Sequence, residues 1–509
     1  MKNRWNLRLA FFALFSLLAL AVGLSAQVPS PYPSALSSSG YPVTHRVLPN
    51  GLEVFAVENH SLPLVTICLV FRGGASAQTK ETAGLFRLYE RMLFAGNPSY
   101  PTKESLNASL NTMGATTWNG SAGTEYSHYY ITIPSDKTEE GLAFWAAVVT
   151  SPSLDPSVLE NEKQSLLNEM AGNQADPARI AASALESRMF PEYPWRKNVD
   201  GPATIIAGAT IEQLRTVQAT YYIPSNCALM VAGDIDPDRV FGQALDYFGA
   251  WRGALPPSIG EPPHGPIPAD VRVLATDDLF YRGVAYLQYR WRGPDVLRQT
   301  ADTYVSDVLL FLLSSPSGRF KNSLMKRVPS LFDPEYTDFI YPTARDGGNF
   351  IFSAYLAVQK PATEEAILDR VEGLRRVVAD EFAIISADPE AYFGSAELEK
   401  AKATLIDQNT FAMESAENFV ADTLSFWWSI ATADYFFSYE SQCRKVSWAD
   451  ISDLLIRYIV GSSPSAAPPC ATLVRLRTST AAADPRMAAK MVEYGYFEAA
   501  ADNSFWWQR

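Results

Sequence analysis

The first half of the chain alternates between two hydrophobic periods. Gly51 to Val57 and Leu64 to Phe71 are short, apolar and rich in β-branched residues, and both are predicted as strands. Ala83 to Ala95 places Leu85, Leu88, Tyr89, Met92 and Leu93 at spacings near 3.6, the pattern of a helix with one buried face. Tyr126 to Ile133 returns to strand spacing, and Leu142 to Val149 reads as a second helix. Ser151-Pro152 then turns into a long polar helix, roughly Ser157 to Gly172. Strands interleaved with helices, without regular βαβ spacing, predict an α+β fold.

The pattern breaks between Gly253 and Asp270, where Pro256, Pro257, Pro262, Pro263, Pro266 and Pro268 crowd into a weakly apolar stretch. Such a segment is an extended, semi-rigid linker. It separates a predicted N-terminal domain at 40–252 from a C-terminal one at 271–509. The two are related: Leu69-Val-Phe-Arg-Gly73 has an echo in Tyr289-Arg-Trp-Arg-Gly293, 220 residues on, and each is followed by a helical pattern. A repeat of that length is a duplicated domain rather than a solenoid.

The first residues have a separate logic. Lys2, Arg4 and Arg8 precede the apolar stretch Leu9 to Leu24, and Leu24-Ser25-Ala26 offers a small-residue cleavage site before Gln27. Residues 1–26 are predicted as a signal peptide, which makes the mature chain periplasmic or extracellular, with no stable membrane anchor. An uncleaved anchor is the alternative, although the stretch falls short of the roughly 20 residues a span needs.

With 47% hydrophobic residues among 509, the chain has material for more than one core, and disorder is excluded. A net charge of -13 argues against nucleic acid, whose phosphates need a basic surface. Proteins, peptides and small molecules remain as partners. Of the four cysteines, Cys68 and Cys227 lie in apolar runs and read as buried hydrophobes, while Cys443 and Cys470 are left open between a disulfide and two thiols. No G-x-S-x-G elbow, cysteine motif or phosphate-cradling loop is present. Among the histidines, His45, His60 and His264 are expected to be solvated. His128, between Tyr126 and Tyr130, is expected to be packed and hydrogen-bonded rather than a metal ligand. Trp427-Trp428 and Trp506-Trp507 are expected to complete a core or an interface.

The helix Gly84-Leu-Phe-Arg87-Leu-Tyr-Glu90-Arg91-Met-Leu-Phe94-Ala-Gly96 resembles the H-x-x-E-H helix of the pitrilysin/insulinase family of zinc metallopeptidases, the inverzincins. The surroundings match as well. Leu48-Pro-Asn-Gly51-Leu and Arg72-Gly-Gly74 resemble the family's opening, Glu162 and Glu169 repeat its E-x6-E spacing, and Tyr221-Tyr-Ile-Pro224-Ser-Asn226 through Gly233-Asp234 resembles the end of its first domain. The likeness is strong from about Thr44 to Asp236 and mainly architectural from Val271 onward. It implies two similar α+β domains, each an antiparallel sheet with helices on one face, facing each other like a clamshell. It also implies that extended peptides pair with a sheet edge, here Thr117-Trp118-Asn119-Gly120-Ser121. An Arg and a Tyr of the second domain hold substrate in many members. Met325 stands at that Arg position, with Lys326 and Arg327 next and Tyr336 downstream, so the pair is not carried over.

The decisive departure is chemical. In the motif the two histidines share a helix face and bind zinc while the glutamate polarises water. Here Arg87 and Arg91 occupy both ligand positions, Glu90 the general-base position and Glu169 that of the third ligand. A guanidinium has no lone pair to give and stays charged, so zinc binding is expected to be lost and no cofactor is expected. Arg87 and Arg91 are instead expected to form ion pairs with Glu90, Glu162 and Glu169. The implied function is that of a non-catalytic homologue that binds a peptide or unfolded polypeptide, or pairs with an active homologous subunit or a second copy. The alternatives are an active zinc endopeptidase with unusual ligands, and an assembly protein without peptide binding.

Overall fold

The computed structural model describes residues 43–315, 317–358, 365–411 and 413–509. The segment expected as a signal peptide at 1–26, and the start of the domain expected from 40, lie outside them. Six strands form a first sheet: β1 (Val43–Val47), β2 (Glu53–Glu58), β3 (Leu64–Arg72), β4 (Thr117–Ala122), β5 (Tyr126–Pro134) and β6 (Cys227–Gly233), in the order β1-β2-β6-β3-β5-β4. Six more form a second: β7 (Val271–Asp277), β8 (Val284–Arg292), β9 (Asp338–Ile340), β10 (Asn349–Ala357), β11 (Cys470–Arg477) and β12 (Phe497–Ala499), in the order β12-β7-β11-β8-β10-β9. Residues 253–270 run between the sheets without helix or strand.

The duplication extends to register. The nine-residue strands β3 and β8 end at Arg72 and Arg292, and Phe71 opposite Cys227 corresponds to Trp291 opposite Cys470. The outermost strand differs: β1 precedes β2 in the chain, whereas its counterpart β12 arrives from the C-terminal end. Both sheets are mainly antiparallel, as expected, with β2–β6, β7–β11 and β7–β12 parallel. The strands β6, β11 and β12 return only after helical excursions, and such crossovers allow parallel entry where a hairpin does not.

Both faces of each sheet are covered, not one. The helices Leu85–Leu93, Thr138–Thr150 and Pro237–Phe248 bury Leu88, Trp145 and Phe241 against the Ile67 and Phe71 side of the first sheet. Its other side, with Phe55, Cys68, Val70 and Met230, receives Phe419, Leu424 and Trp428 from the second half of the chain. The exchange is reciprocal: Ala181, Leu185 and Met189 of the helix Pro177–Met189 pack on Val273, Ala275 and Leu473 of the second sheet. The halves are therefore interlocked by lent helices rather than merely facing each other as a clamshell. Hydrophobic periodicity says that a face is buried, not which segment buries it.

Polar groups reinforce the junction. Arg72 lies 3.6 Å from the Trp428 ring centroid and donates to the Trp428 carbonyl at 3.0 Å. Trp427 stacks on Tyr435 at 4.8 Å, and Trp506 meets Trp195 at 5.8 Å, so both tryptophan pairs complete packing. His264, expected to be solvated, is buried with a 1% exposed side chain, 2.5 Å from the Asp346 carboxylate. His45 is also buried, 3.1 Å from Glu53, because β1 lays it on the covered face beside Phe55. Only His60 is exposed as expected. All four cysteines are buried and free, so Cys443 and Cys470 are thiols. Among the described residues no helix is long and apolar enough to cross a membrane.

Candidate functional site

The motif helix, Leu85–Leu93, starts where Gly84 takes a φ of 89° and passes so close to the Asp200 carbonyl that a Cβ would lie 2.3 Å from it. Only glycine fits there, and the contact seats the loop of Asp200 beside the helix. Leu85, Phe86, Leu88, Tyr89, Met92 and Leu93 bury one face, which turns Arg87, Glu90 and Arg91 to the other. A second helix, Pro156–Ala175, is capped by the Asp155 carboxylate accepting from Ser157 N and is anchored by Leu159, Leu166 and Met170. It presents Glu162, Ser165 and Glu169 to the first.

One carboxylate joins the two arginines. Arg87 Nη2 donates to Glu169 Oε1 and Arg91 Nη2 to Glu169 Oε2. Arg91 Nη1 also reaches Glu162 Oε2 at 3.3 Å and Ser165 Oγ at 3.2 Å. Arg87 Nη1 donates to Asp200 Oδ1, and Asn173 Nδ2 donates to Asp200 Oδ2 at 3.2 Å. Sequence spacing did not point to Asp200 or Ser165. The one cue for Asp200 was its place in the turn Asn198-Val-Asp-Gly201, where Asn198 Oδ1 accepts from the Asp200 and Gly201 amides.

Glu90 departs from its expected role. Among the described residues it makes no ion pair within 4.0 Å, because Glu162, Glu169 and Asp200 already occupy both guanidiniums. Burial pushes its carboxyl up to about 7; Arg87, the Ala122 amide and Arg91 pull it down, and Glu169 pushes it up. Burial disfavours the Arg87 charge, but Asp200 and Glu169 outweigh it and hold the guanidinium above its ordinary value. Glu169 is partly desolvated, and its two arginine partners still hold it below the usual carboxylate range.

The donor set does not fit a zinc ion. At the two positions where a metal needs lone pairs, guanidiniums point N–H donors inward, and the Glu169 carboxylate at the third position is engaged by both. Among the described residues, no three His, Cys, Asp or Glu side chains converge as a ligand set. His128 is packed between Tyr126 and Tyr130, at 5.6 and 6.1 Å, but among the described residues its buried Nδ1 lacks the expected hydrogen-bond partner. Burial lowers its basicity.

Beside the cluster runs β4, the edge strand of the first sheet opposite β1. Trp118 is 48% exposed, Asn119 and Ser121 are exposed, and Gly120 lies tight on Tyr129, where a Cβ would come within 2.7 Å of the ring. Trp118 stands opposite Ile131 in register and 6.5 Å from Phe94, at the end of the motif helix. In the second half, Met325 packs against the core, Arg327 pairs with Asp380 and Glu381, and Tyr336 stands exposed.

Duplicated α+β domains with a metallopeptidase motif helix at a sheet edge define a peptidase frame. The chain belongs to the insulinase family (peptidase family M16): residues 53–203 match that family's model, and residues 208–383 match that of the peptidase M16 inactive domain. Over 203 residues, 40% of this chain, it is 24% identical to an uncharacterized zinc protease of Rickettsia felis, covering 49% of that protein. Over a further 203-residue match it is 26% identical to the human mitochondrial cytochrome b-c1 complex subunit 1, covering 42% of it. The chain thus spans less than half the length of these curated relatives. Among solved structures, a Helicobacter pylori protease aligns with a TM-score of 0.71 at 16% identity over 86% of this chain and 100% of its own. The periplasmic protease PqqL of Escherichia coli aligns at 0.68 and 14% identity over 91% of this chain and 50% of its own.

Proposed function

We propose that this chain is an exported, non-catalytic member of the family that binds peptides or unfolded polypeptide along β4 and pairs with an active homologous subunit or with a second copy of itself. One observation carries the reading: the motif helix and the Glu169 helix are tied by Arg87 and Arg91 through carboxylates, in a place where hydrolysis needs a metal and its water. Strand addition uses backbone groups and needs no zinc, and among the described residues β4 has a strand neighbour on one side only. Export rests on the pattern of residues 1–26, and the periplasmic location of PqqL agrees with it. Pairing is favoured by matches to mitochondrial-processing peptidase beta subunits and by PqqL carrying this fold over half of a longer chain. A second reading, an assembly subunit without peptide binding, is favoured by the match to the cytochrome b-c1 subunit.

The test combines an endopeptidase assay on an unfolded substrate, with and without added Zn²⁺, and a peptide-binding isotherm read by tryptophan fluorescence. The expected result is no hydrolysis in either condition and saturable binding that Trp118→Asp abolishes without changing the melting temperature. Zinc-dependent hydrolysis would overturn the reading, and absent binding would move it to the assembly role.

A further inference from the structure

At the end of the first sheet away from the arginine cluster, three chain reversals meet around a cavity of about 260 Å³. The turn after β2 contributes His60, the exit of β5 contributes Ser135 and Thr138, and the exit of β6 contributes Asp234 and Asp236. The helix Pro237–Phe248 closes it with Arg239 and Gln243.

Most donors around this cavity are engaged within it, the exposed Arg239 guanidinium excepted. His60 Nδ1 faces Asp234 at 2.7 Å and its Nε2 faces Glu58 at 3.6 Å. Ser135 Oγ donates to Asp234 Oδ2, Thr138 Oγ1 donates to the Ser135 carbonyl, and Arg239 lies 3.6 Å from Glu139. Gln243 donates its Nε2 to Glu139, which fixes the orientation of its amide. Its Oε1 is then buried without a partner among the described residues, in a residue only 9% exposed. Asp236 spends Oδ1 on the amides of Asp238 and Arg239. Beside Arg239, what the lining still offers is acceptors: the orphan Gln243 oxygen, the second Asp236 oxygen and the lone pairs of the two hydroxyls. A buried acceptor left unmade is costly, so the complementary ligand is a compact group rich in donors. Glu58, Asp234, Asp236 and Glu139 against His60 and Arg239 favour a positive one.

We propose that this cavity binds a primary alkylammonium group, carried by a small diamine or by a lysine side chain. Its three N–H donors and single charge match the acceptors that remain. The site stands apart from the arginine cluster and does not depend on the function proposed above.

Calorimetric titration of the full chain tests this, with cadaverine for the free amine, an acetylated and amidated Gly-Lys-Gly peptide for the protein-borne one, and pentanediol as the uncharged control. Saturable binding of either ammonium probe with no heat from the diol is expected, and which probe binds assigns the source. Gln243→Lys supplies its own ammonium and should weaken binding at least about tenfold, and Gln243→Leu, which removes the orphan acceptor, should weaken it by a similar factor. If Gln243→Lys fails to fold, Gln243→Leu decides alone. Two results would overturn the proposal: neither ammonium probe binding, which leaves water in the cavity, or affinities unmoved by these substitutions.

Discussion

Replacing Arg87 with alanine removes a group that touches both Glu169 and Asp200. The Arg87 side chain is 17% exposed and that of Asp200 only 9%, so the substitution strands a nearly buried carboxylate. Asp200 would keep Asn173 at 3.2 Å and Arg179 at 4.0 Å, the latter more than half exposed. Breaking a buried pair costs roughly 3–5 kcal/mol, and the remaining partners and partial exposure bring the expectation to about 3. For a domain of this size that is a fall in melting temperature of roughly 6–12 °C. Arg91 is the internal control. Its main partner Glu169 is 41% exposed and its contact to Glu162 is long, at 3.3 Å, so Arg91→Ala should cost only about 1 kcal/mol. Differential scanning calorimetry and urea unfolding read both. The pH dependence has a definite sign. Glu169 is held below its ordinary value, so its contribution is present above the normal carboxylate range and is lost as pH falls through the folded-state value. The gap between wild type and Arg87→Ala should therefore narrow in acid. An Arg87→Ala protein within about 1 kcal/mol of wild type, or one less affected than Arg91→Ala, would refute the assigned network.

Three further outcomes follow from other parts of the molecule. Burial raises the Glu90 carboxyl from 4.5 to about 7, so wild type pays for its ionisation as pH rises from the unfolded value toward 7; Glu90→Gln should be neutral near pH 4 and about 3 kcal/mol stabilising at pH 8, read from melting curves across that range. Trp428→Ala empties the centre of the lent helix and removes the platform under Arg72, which should cost about 3–5 kcal/mol and split unfolding into two transitions; a single unshifted transition would contradict the interlocked fold. Titration with a thiol reagent should find four thiols in denaturant and none reacting rapidly in the native protein, since all four are buried and burial pushes Cys443 and Cys470 up to about 12.

What the sequence disclosed is what local chemistry encodes. The motif helix was legible from the 3.6-residue spacing of Leu85, Leu88, Tyr89, Met92 and Leu93, and the duplication from the echo of Arg72-Gly73 in Arg292-Gly293, which the register of β3 and β8 extends to Cys227 and Cys470. The pairing of Arg87 and Arg91 with Glu169 was also legible, because both helices had recognisable spacing. What stayed hidden depends on distant segments. Asp200 sits in a loop 31 residues beyond Glu169 and reaches Arg87 only because Gly84 lets the two backbones touch. His264 looked solvated in a proline-rich stretch, yet Asp346 from the second half buries it. The lent helices were invisible for the same reason, since an apolar stripe does not name its partner.

The most direct test of the central claim is zinc stoichiometry on the purified chain, measured by elemental analysis after dialysis against Zn²⁺, with an Arg87→His/Arg91→His double variant beside it. The account predicts less than about one-tenth of an equivalent in the wild type, and a gain toward one equivalent in the variant, whose imidazoles restore two lone pairs beside Glu169. A full equivalent of zinc in the wild type would contradict it.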